Sequence, residues 1–536
     1  MNNSTNPRVR TEALLLIAFC GFLFFYGLGA FGLVGADEPR YAQVAREMLD
    51  RSDWVTPTLL GKTWLEKPVL YYWQAIVSYR VAGSVSDQAA RLPGAVDATL
   101  LIAAVYLFLR KFRPGSEVDG ALITASCAGV VGFAHAAATD MPLTACLGIG
   151  LLGWYAWYES GRKIYLAVGY VFLALGTLAK GPVAPALSAV IIFLFIAAKR
   201  DWRAIWRSLW LPGIALYLAV MLPWYVAVQV RNPEFFRVFI LEHNLGRFSQ
   251  DLYHHRQPFW FYLPVFLLAT TPWTVVLIAA LAERGRAIWS EGKEAFTSPE
   301  DSWPVFLLIW MLVPILFFSA SQSKLPGYIL PAVPAAALLV TEHLAVCRSE
   351  GRRMSLLIAV AHGMVCGLLV FSAISAATIT LYHHLVWERW TYMATALGAL
   401  FATGTFVALR SRGGVRLLRS VTMAAVVVSM AAIIRFAAPV IDATQSTRTI
   451  AESIEAFSHE PVPIATYHVG RVQEYGLEFY LNRPAEKYEE GSIPAAAHVV
   501  VAARNTQAKV AEMVAGRRVS YLTTLPAAKV DLYWVK

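Results

Sequence analysis

Apolar runs of about 20 residues, the length that crosses the hydrocarbon core of a bilayer, recur along the first 440 positions and leave this chain few ways to fold. In such a medium every backbone polar group needs a partner within the chain, so a bundle of helices is expected. Thirteen spans are read, at about 13–34, 91–109, 118–135, 137–158, 164–179, 182–198, 205–230, 259–281, 303–320, 326–346, 355–381, 388–409 and 417–438. Composition agrees. The chain is 57% hydrophobic and 15% charged, against roughly 25% charged in a soluble domain, which excludes a soluble enzyme. Arg8 and Arg10 ahead of the first run, with Val34-Gly35-Ala36 imitating a cleavage site, give it the look of a signal peptide. The run exceeds the roughly 7–15 apolar residues of such a segment and is read as the first membrane helix.

The formal net charge of +10 would fit a partner such as nucleic acid or anionic lipid, but its distribution follows topology. With the N-terminus inside, Lys and Arg crowd the inner loops, as in Lys199-Arg200-Asp201-Trp202-Arg203 and Arg410-Ser411-Arg412, which is the cytoplasmic signature. The short outer loops carry Lys180, Lys324 and Arg389, and the remaining outer basic charge lies in two long segments, 36–90 and 231–258. No nucleic-acid role follows. An odd number of spans puts the tail outside.

From about 439 to 536 the pattern changes to short strand-like runs at 462–467, 498–502 and 530–535 between helix-compatible stretches such as 447–457. A small α/β domain is expected there, after a membrane domain at 1–438. Its charges, Asp442 and Glu455 among them, read as a solvated face. Cys20, Cys127, Cys146, Cys347 and Cys366 all fall in spans or an inner loop, so neither an external disulfide nor a Cys-based zinc site is expected.

An ionisable group near the hydrocarbon is costly, and it commonly faces a cavity. Here such groups gather on the outer side. Asp37-Glu38-Pro39-Arg40-Tyr41 opens an amphipathic helix running to about Leu49, and carboxylates at a helix start are also what the macrodipole favours. Trp64-Leu65-Glu66-Lys67-Pro68 and Tyr71-Tyr72-Trp73 suit a membrane interface. Asp140 in Thr139-Asp140-Met141-Pro142, Lys180 in Lys180-Gly181-Pro182, and Lys324 in Ser323-Lys324-Leu325-Pro326-Gly327-Tyr328 sit at hairpin tips too short to need lone charges for solubility. The second long segment adds Arg247, His254, His255 and Arg256 beside aromatics. For the two histidines three readings stand open: interfacial hydrogen bonding, a zinc or similar site with Glu66, and acid-base chemistry. His383-His384 carries less weight.

In these motifs and their order the sequence resembles the aminoarabinose lipid A transferases and, more distantly, the protein O-mannosyltransferases. The resemblance implies the C-type glycosyltransferase fold, with about thirteen transmembrane helices and a small extracytoplasmic α/β domain. It further implies transfer, with inversion, of a sugar from a polyprenyl phosphate carrier to lipid A or another envelope acceptor, on the periplasmic face of a bacterial inner membrane. Asp37, Glu38, Arg40 and Asp140 would then be the catalytic group. Lys67, Lys180, Arg247, Arg256, Lys324 and Tyr328 would meet the donor's lipid phosphate, and Glu66, His254 and His255 would be the residues to hold a divalent metal, for instance zinc. An O-mannosyltransferase-like enzyme, or a lipid or solute transporter, are the competing readings.

Overall fold

A computed structural model describes residues 7–239, 243, 257–292, 297–298, 302–382, 388–411, 414–458 and 460–536. It is an α-helical membrane bundle followed by a small sheet domain. Among the described residues eight helices are long and apolar enough to cross a membrane, or ten if each of two bent pairs is one span. The hydropathy reading draws thirteen, and the difference lies in short or tempered segments. Thr11–Phe25 and Val183–Lys199 are apolar but short, and the 21-residue helix Asp140–Ser160 is diluted by glycines and aromatic residues. The bent pairs fall in the expected third and eighth spans. Glu117–Ser126 meets Ala128–Ala134 at 65°, and Phe259–Ala269 meets Thr274–Ser290 at 116°. At the first break Cys127 leaves helical geometry for extended backbone, φ −62° and ψ 128°.

The bundle packs around aromatic side chains. Trp154, Tyr155, Trp303, Phe306 and Trp310 are buried together, with the rings of Tyr155 and Phe306 4.6 Å apart. Between the first apolar helix and the span Asp87–Phe112, the chain forms two further helices, Asp37–Asp50 and Leu70–Ala82. They share their own buried cluster, which includes Tyr41, Val44, Met48, Tyr71, Tyr72 and Ile76.

One buried ion pair ties this loop to the bundle. Arg91, with no exposed surface, donates to the carbonyls of Leu28 (2.9 Å), Phe31 (2.7 Å) and Gly32 (2.8 Å) and to the Glu38 carboxylate (2.7 Å). Glu38 in turn accepts from the backbone N–H groups of Val34 (2.8 Å) and Ala137 (2.9 Å). A buried charge persists only when paired and hydrogen-bonded in this way.

The C-terminal domain is a five-stranded mixed sheet built from β3 (Ile464–Tyr467), β4 (Ala485–Lys487), β5 (His498–Ala503), β6 (Val519–Leu525) and β7 (Val530–Val535); β1 (Thr58–Leu59) and β2 (Lys62–Thr63) form a separate hairpin in the first loop. The order is β4-β3-β5-β7-β6, with β3 parallel to β4 and β5, and β7 antiparallel to β5 and β6. Helix Arg471–Leu481 is the crossover from β3 to β4. Successive residues of β5 point to opposite faces, so Val499 and Val501 pack with Ile450, Ile454 and Leu477, while Val500 and Ala502 pack with Tyr467, Val510 and Tyr533.

This domain is docked on the first loop. The Tyr480 hydroxyl accepts from the N–H of Leu33 (2.6 Å) and donates to Asp87 (2.7 Å). Arg46 donates to the carbonyl of Phe479 at 2.7 Å, and Arg448 bridges Asp442 (2.6 Å) and Asp87 (3.2 Å). Asp442 also accepts from the N–H of Gly32 at 2.8 Å. Its expected place on a solvated face is therefore corrected: the carboxylate is spent on the docking contact. Glu455 is exposed, as a solvated face requires.

Removing one partner of a buried pair leaves the other charged and stranded, at about 3–5 kcal/mol. Arg91→Met is accordingly expected to lower the thermal midpoint of the detergent-solubilised protein sharply, with part of the loss recovered in the double variant Arg91→Met/Glu38→Gln. Equal midpoints for wild type and Arg91→Met would contradict the role given to this pair.

Candidate active site

Six of the residues singled out in the sequence meet at one end of the bundle. A cavity of about 400 Å³ is lined by Asp37, Arg40 and Tyr41 from the first-loop helix, by Lys67, Thr139, Asp140 and Lys180, and by Ser323, Leu325 and Tyr328. Arg471 of the C-terminal domain completes the wall. A second cavity of about 360 Å³, mostly apolar, is lined by Pro182, Val183, Ala186, Phe239, Phe317 and Phe318 and shares Lys67, Lys180, Ser323 and Tyr328 with the first. A charged chamber thus opens into a greasy one across two lysines, a serine and a tyrosine.

Each charge is set by its local fold. Asp37 lies in the first turn of its helix and Asp140 begins the helix Asp140–Ser160, where the positive end of the macrodipole favours a carboxylate. Lys180 ends the helix Lys163–Lys180, at the negative end. Asp140 and Lys180 meet at 2.6 Å, and the lysine ammonium stands 4.5 Å from the centre of the Tyr328 ring. Two glycines make this approach feasible. Gly181 adopts φ +77°, left-handed backbone that suits only glycine, and a Cβ there would lie 2.5 Å from the Phe239 ring. A Cβ on Gly327 would lie 2.7 Å from a carboxylate oxygen of Asp140 and 2.8 Å from Phe133, so Pro326-Gly327-Tyr328 is where the chain lets that carboxylate in.

Asp37 is ion-paired with Arg40. The Arg40 guanidinium is further flanked by Trp64, Tyr41 and Tyr475 at 5.2, 5.2 and 5.5 Å from their ring centres, and Glu66 lies 4.0 Å away. Burial opposes its charge, yet the Asp37 and Glu66 carboxylates outweigh this and hold its pKa above the usual arginine value. Burial also pushes the Tyr41 phenol well above its usual value, so Tyr41 presents a neutral hydroxyl at any working pH. Lys67 is buried, its ammonium donating to the Glu66 carbonyl at 3.3 Å.

Other candidates fall elsewhere. Glu38 lies beneath the chamber, bonded to Arg91 and backbone as described, and does not line it. Lys324 is buried and donates to the Ser321 carbonyl, and it lines neither cavity. Glu66 borders the apolar cavity. Arg247, His254, His255 and Arg256, together with His383-His384, lie outside the described residues. Among the described residues no three His, Cys, Asp or Glu side chains converge to hold a metal ion, and the Glu66 carboxylate faces a guanidinium. Sequence reasoning missed Arg91, because a span-initial arginine reads as a flanking charge, and Arg471, because its position in the site depends on how the C-terminal domain docks.

The fold defines a class, the C-type fold shared by multispan membrane glycosyltransferases. The structure matches that of ArnT from Cupriavidus metallidurans bound to undecaprenyl phosphate, with a TM-score of 0.76 at 21% identity over 97% of each chain. It matches the oligosaccharyltransferase of Archaeoglobus fulgidus more loosely, with a TM-score of 0.51 at 12% identity over 94% of this chain and 70% of that one. Residues 66–226 match the family model of dolichyl-phosphate-mannose-protein mannosyltransferases. The undecaprenyl phosphate-α-4-amino-4-deoxy-L-arabinose arabinosyl transferase of Erwinia tasmaniensis is 30% identical over 72% of this chain and 69% of its own length. The enzyme of that name from Pseudomonas aeruginosa UCBPP-PA14 is 34% identical over 62% of this chain, and the matched part spans 59% of the relative. The chain belongs to this arabinosyl transferase family.

Since the neighbours of Gly327 are packed on two sides, Gly327→Ala is expected to part Asp140 from Lys180 and to cost about 1–3 kcal/mol, the usual penalty of overpacking. Thermal unfolding in detergent reads this, and an unchanged midpoint would argue against the tight approach.

Proposed function

We propose that the protein transfers 4-amino-4-deoxy-L-arabinose from undecaprenyl phosphate to a phosphate of lipid A, with inversion at the anomeric carbon, on the periplasmic face of a bacterial inner membrane. In this reading the N-terminus is cytoplasmic and the sheet domain periplasmic. The observation that carries it is the junction of the two cavities at Lys67, Lys180, Ser323 and Tyr328. A carrier lipid needs an apolar groove for its first isoprene units and fixed cations where its phosphate emerges, and the junction offers both. The relatives' names supply the sugar and the carrier.

An acceptor phosphate oxygen attacks the anomeric carbon as the bond from that carbon to the carrier's phosphate oxygen breaks. The electron pair leaves with undecaprenyl phosphate, whose negative charge grows in the transition state. Preorganised cations in a poorly hydrated site stabilise such charge; here Lys67 meets the phosphate directly, while Lys180 is held toward it by Asp140. Arg247, Arg256 and Lys324 remain further candidates for the same phosphate. An acceptor phosphate is already ionised near neutral pH, so Asp37 has little proton to remove. It orients the acceptor and offsets positive charge on the sugar ring or its amino group. Tyr328 lines the passage beside the Lys180 ammonium.

The family match over residues 66–226 favours a second reading, mannosyl transfer to protein, which the same chamber could serve. Mass spectrometry of lipid A and envelope glycans from cells with and without the protein separates the two. A mass increment of aminoarabinose on lipid A is expected, and a hexose on protein would overturn the first reading. In reconstituted vesicles Asp37→Asn is expected to lose at least about a hundredfold in transfer rate, the low end for a preorganised group that offsets transition-state charge, with normal membrane insertion. Lys67→Ala is expected to raise the donor KM, and an unchanged donor KM would remove Lys67 from the phosphate.

A further inference from the structure

The charged chamber is lined, among the described residues, by four cations, Arg40, Lys67, Lys180 and Arg471, against two carboxylates, Asp37 and Asp140. Asp37 is paired with Arg40 and Asp140 with Lys180, and Glu66 lies 4.0 Å from Arg40. Lys67 borders both cavities, which assigns it to the anion whose tail enters the apolar one. Arg471 borders the charged chamber alone. It is exposed, and among the described residues no carboxylate stands within ion-pair distance of it.

Arg471 also sits on a fixed mount. It opens the helix Arg471–Leu481, whose Tyr475 ring flanks Arg40 and whose far end is held to the first loop through Phe479, Tyr480 and the contact of Asn482 with Gln43 at 3.3 Å. A guanidinium offers a planar fork of donors that matches a phosphate in two-point contact.

We propose that Arg471 of the C-terminal domain binds the phosphate of the acceptor, across the chamber from the carrier phosphate held by Lys67. The C-terminal domain thereby supplies part of the acceptor site. This rests on the reading of the chamber given under the proposed function, and direct binding separates the two. Full-length wild type and Arg471→Ala are compared in vesicles for binding of bisphosphorylated lipid A without donor, and for binding of undecaprenyl phosphate. Arg471→Ala is expected to weaken lipid A binding roughly tenfold, a change of about 1.4 kcal/mol, while undecaprenyl phosphate binding stays within twofold. Arg471→Lys should recover part of the loss, and lipid A stripped of its phosphates should bind both proteins alike. Arg471→Gln gives the same comparison should the alanine protein fail to accumulate. Equal lipid A binding by variant and wild type, or an equal loss for both lipids, overturns the assignment. Wild type that binds lipid A through Arg471 but transfers no aminoarabinose to it would instead overturn the proposed reaction and leave this assignment standing.

Discussion

The chamber depends on an interaction that lies beneath it, the buried pair of Arg91 and Glu38. Arg91 uses all three guanidinium nitrogens, in three contacts with the carbonyls of Leu28, Phe31 and Gly32 after the first apolar helix and two with the Glu38 carboxylate. Glu38 spends its other lone pairs on the N–H groups of Val34 and Ala137. Three separate parts of the chain are fixed to one another at that point: the first turn, the start of the span Asp87–Phe112 and the loop that leads to Asp140. An α-helix turns about 100° per residue, so with Glu38 aimed into the bundle its neighbour Asp37 must look elsewhere, and it looks into the chamber. The pair is a positioning device whose desolvation cost is offset by complete hydrogen bonding.

Electrostatics then set what the chamber can accept. Its carboxylates and the Lys180 ammonium stand at helix ends of matching dipole sign, and each carboxylate already holds a cation at contact distance. The lining holds more cations than carboxylates, in a hollow that narrows into apolar surface. Charges held this way need little reorganisation when an anion arrives, which is the condition under which fixed dipoles and cations are worth most.

Much of this was legible in the sequence, and the gaps have physical causes. Long apolar runs announce helices wherever they occur; Asp140 and Lys180 stood out because lone charges at short hairpin tips are costly, and Asp37 and Lys67 because they gather on the same outer side. Strands β3, β5 and β7 were visible as apolar β-branched runs, whereas β4 is the three-residue edge Ala485–Lys487 and β6 is half-exposed on both faces. The bends after Ser126 and Ala269 carry no local mark strong enough to divide an apolar run. Asp442 looks like an ordinary surface charge in sequence, because its meaning arises from contact with Gly32, about 400 positions away, and Arg471 does so because only the docked domain brings it to the cavity wall.

That long-range docking also bears on whether the C-terminal domain swings as a lid. The bonds from Leu33 and Gly32 to Tyr480 and Asp442, from Tyr480 and Arg448 to Asp87, and from Arg46 to Phe479 all cross the junction. Each contributes about 1 kcal/mol net once water competes, roughly 5 kcal/mol together, and the buried Phe479 adds apolar contact. An equilibrium opposed by that much leaves the undocked form at about one molecule in a few thousand. A domain held so firmly acts as a standing wall of the chamber.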